Sequence, residues 1–545
     1  MQFRNEQERQ RVEQEQFDGR QNLRLPREQP TVDERLVENE SPCFSISKVD
    51  FVGAQSFAFP HTLVDLPVSL GGAQGDDYPE GRCLGVSSVA ILQQRAQNAL
   101  IASGYVTSRV LVGSQDLSSG TLELTVIPGR IGQVLFARPD EESVQTRWFN
   151  ALPSGPGDLL NIRDVEQALE NFKRPLSAQA DIRIAPASQN SAPGQSDLLI
   201  DYKQDFPFRL TLNANNFGTY ATGRDQGSAT LSWDNPLGLN DLFYATYNHG
   251  LDFLNPGGRS TDGNTVYYAV PYGYWNISAN RSVYGYYQTV AGNTRNYIFS
   301  GTSTANEIKL SRVLFRDSQS KYEAGIKGFS RSTNSYIDNT EVRVQSTAVG
   351  GWEGSLSAHR YIGLGALDAN ITWRQGTGAF GSQPAPGQSL GLATSQMKIL
   401  KMDASATLPF GLLGASFQYS GSWRWQNAWT PLMPQDQFAI GGPYTVRGFD
   451  GNNQLAASRG YLVRNDLTLL LWQDYLSVYG AIDYGQVSGQ NSQYLVGQTL
   501  TGAALGLRGA LGRFRYDVFV AQPVFKPQFF NAPNQVYGFN LTVTL

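Results

Sequence analysis

The sequence is short of the residues that most chemistry needs. Only three histidines occur, His61, His249 and His359, far apart along the chain, so a histidine-based zinc site of ordinary ligand spacing is not expected. There is no Ser-His-Asp order, no Gly-x-Ser-x-Gly elbow and no Gly-x-x-x-x-Gly-Lys-Ser/Thr phosphate loop. An enzyme is therefore the least favoured reading, and no catalytic residue, metal site or cofactor is assigned. Charged residues make up 17% of the chain, against roughly 25% in soluble domains. The net charge of −4 with no basic block argues against a nucleic-acid partner.

Apolar length is missing too. No stretch approaches the roughly 18 consecutive apolar residues of a membrane-spanning helix; the most apolar one runs only from Leu467 to Trp472. Mean hydropathy is −0.32, a value usual for soluble proteins. It excludes little, because a transmembrane barrel strand alternates lipid-facing with lumen-facing residues and averages out. The chain starts Met-Gln-Phe-Arg with no apolar segment, so an exported protein would already have lost its signal peptide. The two cysteines, Cys43 and Cys83, suggest one disulfide and an oxidising compartment; two buried thiols are the alternative.

What is present falls into zones. Residues 1–20 carry good helix formers over 3–17, with opposite charges four apart: Arg4 with Glu8, Arg9 with Glu13, Arg11 with Glu15. Such a helix, polar all round, suits an aqueous lumen and reads as a plug; a disordered tail is the alternative. Residues 21–42, with Pro26, Pro30 and Pro42, read as a linker. Residues 43–129 and 130–205 read as two small α+β modules on one plan. In the first, Phe44 to Phe51 is a strand. Ser87 or Ser88 caps a helix ended by Gly104, and Tyr105 to Val112 and Leu122 to Ile127 are strands. In the second, strands near 133–136, 181–187 and 197–203 surround a helix opened by Asn161.

From 206 to 545 the period changes to two. Tyr537, Phe539, Leu541, Val543 and Leu545 share one face, with Gly538, Asn540, Thr542 and Thr544 on the other. Leu367, Ala369, Ile371 and Trp373 oppose Asp368, Asn370, Thr372 and Arg374 in the same way. An apolar face backed by charge fits lipid outside and water inside, so about sixteen antiparallel strands closing a transmembrane β-barrel are expected. The carboxylates Asp368 and Asp517 are expected to pair with nearby Arg374 and Arg515. One connection, about 427–459, is much longer than the rest, and long connections of this kind are usually functional.

That connection contains Gly441-Gly442-Pro443-Tyr444-Thr445-Val446-Arg447-Gly448-Phe449-Asp450-Gly451. Val446, Arg447, Gly448 and Phe449 resemble the inward-folded loop motif of the Omp85 superfamily. Ile482-Asp483-Tyr484-Gly485 resembles its barrel-wall partner, and counting by twos turns Asp483 and Gly485 into the lumen. Pro42-Cys43-Phe44, Cys83-Leu84-Gly85, the stretch Gly104 to Val110, and Gly129-Arg130-Ile131 resemble the first POTRA domain of two-partner secretion transporters (the TpsB family). The turn Asp234-Asn235-Pro236-Leu237-Gly238 extends the likeness, while Leu545 departs from the aromatic end common in outer-membrane proteins.

The resemblance implies a bacterial outer-membrane transporter with two periplasmic POTRA domains and an N-terminal lumenal helix. It implies recognition of an unfolded exoprotein of the TpsA type (adhesin, haemolysin, contact-dependent toxin or haem-binding protein) and its translocation without ATP. A monomeric barrel in outer-membrane lipid and an Arg447–Asp483 pair fixing the loop tip are also implied. The alternative is a barrel-assembly insertase of the same superfamily.

Overall fold

The computed structural model describes residues 8–11, 22–25, 34–57, 65–137, 146–187, 192–251, 258–293, 295–472, 475–490 and 492–545. In the first module the strand Lys48–Val52 runs parallel to Thr121–Ile127, which pairs antiparallel with Arg109–Leu111. A second pair joins Phe44–Ile46 to Arg82–Leu84. The Cys43–Cys83 disulfide links that pair at a Cα separation of 5.3 Å, which decides against two thiols. The helix Val86–Ala102 buries Leu92, Ala96 and Leu100 against Leu122, Leu124 and Val126.

Three local expectations change here, the first being that the single strand expected over Phe44 to Phe51 divides into Phe44–Ile46 and Lys48–Val52, in separate sheets. Neither serine caps the helix: Gly85 is the N-cap, and Ser88 is buried. The Glu40 carboxylate, from the connecting segment, accepts hydrogen bonds from the amides of Gly85 (2.7 Å), Ser87 (2.8 Å) and Ser88 (3.2 Å). It neutralises orphan donors that a neighbouring Ser would otherwise satisfy. Burial opposes its ionisation, and the bonds from Ser88, Gly85 and Ser87 outweigh that, holding the carboxyl down at about 2. The strand expected over 105–112 forms only at Arg109–Leu111. Gly104, at φ +96°, turns the chain so that the Tyr105 amide bonds the Leu100 carbonyl, and the Tyr105 ring packs edge-on against Phe57. Helix termination therefore takes the residues that alternation assigned to a strand.

The second module orders its strands Arg130–Phe136, Gln195–Gln204, Ala178–Pro186. Its helix Ile162–Phe172 is capped by Asn161, whose side chain accepts from the Arg163 amide at 2.9 Å. Val165, Leu169 and Phe172 fill the core against Leu198, Ile200 and Tyr202.

Sixteen strands, from Phe208–Asn215 to Val536–Thr544, form a closed antiparallel barrel; a two-residue pairing at Thr340–Glu341 merely extends one hairpin. Closure comes from the last strand meeting the first, with Thr542 opposite Asn213 and Asn540 opposite Asn215. Along Leu476–Ser488 the burial alternates residue by residue, Ser477, Tyr479, Ala481, Asp483 and Gly485 being inside. Ile482, Leu505 and Val518 lie on the outer wall. No helix of the described residues is long and apolar enough to cross a membrane; the strands do the crossing. Tight turns, such as 272–275 and 316–320, face the second module, and the long connections lie at the opposite end.

Candidate functional site: the lumenal loop, its wall and the plug

The long connection folds into the barrel. It forms a small hairpin, Phe438–Ile440 with Leu455–Ala457, that packs with Val446 and Phe449 of the loop tip and with Leu462, Val487 and Leu500 on the inner wall. Glycine on the wall makes room for it. A methyl group on Gly485 would meet Ile440 at 2.8 Å and Val446 at 3.0 Å, and one on Gly502 would meet the Arg447 carbonyl oxygen at 1.6 Å. Gly448 itself sits at φ +98° with the Gln522 carbonyl 2.4 Å from where a Cβ would lie. The loop tip is thus laid main chain against main chain, which requires Gly at these positions.

Arg447 and Asp483, 4% and 1% exposed, meet there. Asp483 takes Nε (2.7 Å) and Nη2 (2.6 Å) of Arg447 and also its backbone amide at 2.9 Å. The fork geometry fixes the side chain in two directions at once. The sequence does not single out the next member, Asp466, which accepts from Arg447 Nη2 at 2.5 Å and from Arg508 at 2.6 Å. Arg508 lies over the Tyr479 ring, 3.7 Å from its centre, and Tyr479 donates to Asp517 at 2.9 Å. The expected partners of Asp517 and Asp368 are therefore wrong: Asp368 pairs with His359 at 2.8 Å, and Arg374 with Glu353 at 2.9 Å. Six residues along a strand put Arg374 about 20 Å from Asp368, whereas His359 is its cross-strand neighbour.

The N-terminal segment is helical over 8–11 and lies in the lumen. Glu8 forks onto Arg424 of the strand Ala415–Ala428, both contacts at 2.8 Å, and accepts from Arg11 at 3.4 Å. Gln10 reaches Ser282 on the opposite arc at 3.5 Å. Arg9 is buried and lines a cavity with Asn213 and Arg447. Arg4, Glu13 and Glu15, and with them the three expected ion pairs, lie outside the described residues.

The linker is held at the barrel's rim. Glu170 and Glu166, on the helix Ile162–Phe172, accept from the amides of Leu23 (2.8 Å) and Leu25 (3.0 Å). Arg316, from the barrel, bonds Glu166, Glu170 and the Leu23 carbonyl, and Lys321 adds to Glu170 at 3.1 Å. Burial opposes ionisation of Glu170, and Lys321 and Arg316 overcome it, leaving its carboxyl below the usual range. Beside this, Asn240 of the turn after the second barrel strand bonds Thr146 at 2.6 Å, and Asp234 accepts from the Ser177 amide at 2.8 Å. A closed barrel with a folded-in loop, a lumenal helix and two tandem modules, the second docked at one rim, defines a class: outer-membrane transporters with periplasmic domains.

Known proteins narrow that class. Residues 194–509 match the family described as haemolysin secretion/activation protein ShlB/FhaC/HecB, residues 77–129 a ShlB-type POTRA domain, and residues 130–186 a POTRA domain. The outer membrane transporter CdiB-2 of Burkholderia pseudomallei (strain 1026b) is 34% identical over 516 residues, 93% of this chain and 87% of that protein. The hemolysin transporter protein ShlB of Serratia marcescens is 26% identical over 408 residues, covering 74% and 69%. The structure of CdiB from Acinetobacter baumannii superimposes with a TM-score of 0.87 at 27% identity, covering 99% and 98%. The chain belongs to the ShlB/FhaC/HecB family of two-partner secretion transporters, within the Omp85 superfamily. The barrel sits in the outer membrane with its POTRA domains in the periplasm, and the insertase alternative is not favoured.

Proposed function

We propose that this transporter works as a plugged pore for one TpsA-type exoprotein, with Arg447 and Asp483 fixing its lumenal loop and residues 3–17 closing it at rest. The observation that carries the reading is the Glu8–Arg424 fork, which ties a polar helical segment to the inner wall. The domain limits that go with it are 1–20 for the plug, 21–42 for the linker, 43–129 and 130–205 for the POTRA domains, and 206–545 for a monomeric barrel. Cargo is captured unfolded by strand addition to a POTRA sheet edge, which supplies backbone hydrogen bonds without demanding one sequence. No catalytic step is involved. Direction comes from folding outside, which makes return unfavourable. Deleting residues 1–20 and recording single-channel conductance in planar bilayers tests the plug: a several-fold larger open conductance is expected, and an unchanged one refutes it.

A further inference from the structure

The lumenal loop has a second point of attachment, on the opposite wall from Arg447. Asp436, at the loop's outer arm and 4% exposed in its side chain, pairs with Arg331 at 2.8 Å and lies 3.9 Å from Arg374. Arg331 stands on the strand Ser320–Ile337, four strands round from Ala415–Ala428, where the loop begins. On the other side, Gly448 rests against Gln522 on Phe514–Phe525, also four strands round. Points eight strands apart in a sixteen-strand barrel face each other across a diameter, so the loop is a bar laid across the pore. An extended chain needs about 10 Å of clear width for its side chains, comparable to the spacing of packed sheets. One end of the bar must leave the wall.

The two ends are built differently. The Arg447 end is interlocked main chain to main chain at Gly502 and Gly448, with bonds from both backbone and side chain to Asp483. The Asp436 end has fewer main-chain ties, the Thr394 amide to the Pro431 carbonyl and the Gln383 amide to the Ala348 carbonyl, and meets the wall mostly through side chains. Its carboxylate bridges two guanidiniums, and Leu432 and Met433 pack on Phe329, Val349, Ala385 and Met397. Ala385 and Met397 belong to the connection 378–397 at the same mouth. Below this end lies a cavity of about 290 Å³, lined by Glu8, Arg331, Arg374 and Arg424, so the arm borders unfilled lumenal space on its inner side. Remove the carboxylate and the arm loses its ion pair with Arg331, while Arg374 keeps its own with Glu353.

We infer that Asp436 is the releasable latch of an outer gate formed by the arm Leu432–Phe438 and the connection 378–397, while the Arg447 end stays fixed. This rests on the transport reading but is independent of the plug. Single-channel recording of the full-length protein tests it. Asp436→Asn is expected to raise the frequency of large openings several-fold, and Asp436→Glu to restore the wild-type pattern. Gln435 and Thr347, whose side chains touch at 3.2 Å, take a paired Gln435→Cys/Thr347→Cys substitution, oxidised through a short, reducible bis-methanethiosulfonate bridge that replaces the reach of the glutamine side chain, its formation checked by mass spectrometry. Oxidation should abolish large openings and reduction restore them, with the wild type under the same reductant controlling for Cys43–Cys83. The same cysteine pair in a chain lacking residues 1–20 separates the two ideas. If that deletion opens the pore and oxidation still leaves it open, the latch is wrong and the plug stands. If oxidation shuts a pore that the deletion failed to enlarge, the latch stands and the plug is wrong. Openings indifferent to oxidation in both backgrounds overturn the inference even if Asp436→Asn fails to assemble.

Discussion

Gly502 shows how much of the site is decided by the absence of a side chain. A methyl group there would overlap the Arg447 carbonyl oxygen, whereas one on Gly480, on the lipid side, meets nothing within 4 Å. Gly502→Ala is therefore expected to unseat the loop tip and impair export as Arg447→Ala does, with heat-modifiable, assembled barrels in both cases. Gly480→Ala should export normally. If both alanine variants behave alike, the close approach has no functional weight. Breaking a buried ion pair from one side costs about 3–5 kcal/mol, because the remaining charge is stranded. Asp483→Ala leaves Arg447 with Asp466 alone and beside Arg464, whose Nε lies 3.8 Å from the lost carboxylate. Arg447→Lys should fail nearly as fully as Arg447→Ala, since a point charge cannot serve Asp483 and Asp466 in a fork; wild-type export by the lysine variant would remove that claim. Of this network the parity of Asp483 and Gly485 was legible, because period-two alternation fixes which way a strand residue points. Asp466 was not. It lies beside the most apolar stretch of the chain, and only the inward register of Arg464 with Asp483 and of Asp466 with Ala481 reveals its face.

Helices and strands differ in how far local pattern governs them. Asn161 was readable as a cap because its own side chain satisfies the next turn. Glu40 was not, since the donors it serves lie more than forty residues away. That distant cap has a pH signature. The Glu40 carboxyl falls from an ordinary value of 4.5 to about 2 on folding, so its contribution is complete above about 4.5 and is lost as pH falls toward 2. Hydrogen-exchange protection at the start of the helix Val86–Ala102, taken relative to the intrinsic rate at each pH, should fall across that window in the wild type. Glu40→Gln should exchange faster already at pH 7 and show a flatter acid response. Asp77 keeps a residue of acid sensitivity: burial opposes its charge, but the Leu36 amide and Arg95 hold its carboxyl below the usual range. Equal pH profiles for the two proteins would mean that the cap carries no stability.

At the scale of the whole molecule, the barrel and the two modules were visible in the change of period from 3.6 to 2, because each period reports the surroundings of its own segment. The junction was invisible, since it joins residues 23, 166, 170, 316 and 361 and no local pattern encodes such a meeting. Yet this junction decides how the lumenal helix is tethered. Arg316 holds two carboxylates and the Leu23 carbonyl together, Tyr361 donates to the Asn22 carbonyl, and Arg24 lies over the Tyr361 ring at 5.1 Å. Removing the guanidinium leaves Glu166 and Glu170 facing each other with Arg163 and Lys321 as their remaining cationic partners among the described residues. The segment 22–25 should then detach far more often while the barrel, closed by its own ladder, stays intact. Each 1.4 kcal/mol of lost holding energy multiplies detachment about tenfold. Arg316→Ala should thus raise the rate of trypsin cleavage after Arg24 at least tenfold, measured by mass spectrometry on detergent-solubilised protein. Arg316→Lys, which keeps the charge but not the fork, should fall between. Cleavage after Arg24 at the wild-type rate in both variants would show that the linker is held by something other than this rim, and that the second POTRA domain has no grip on the plug.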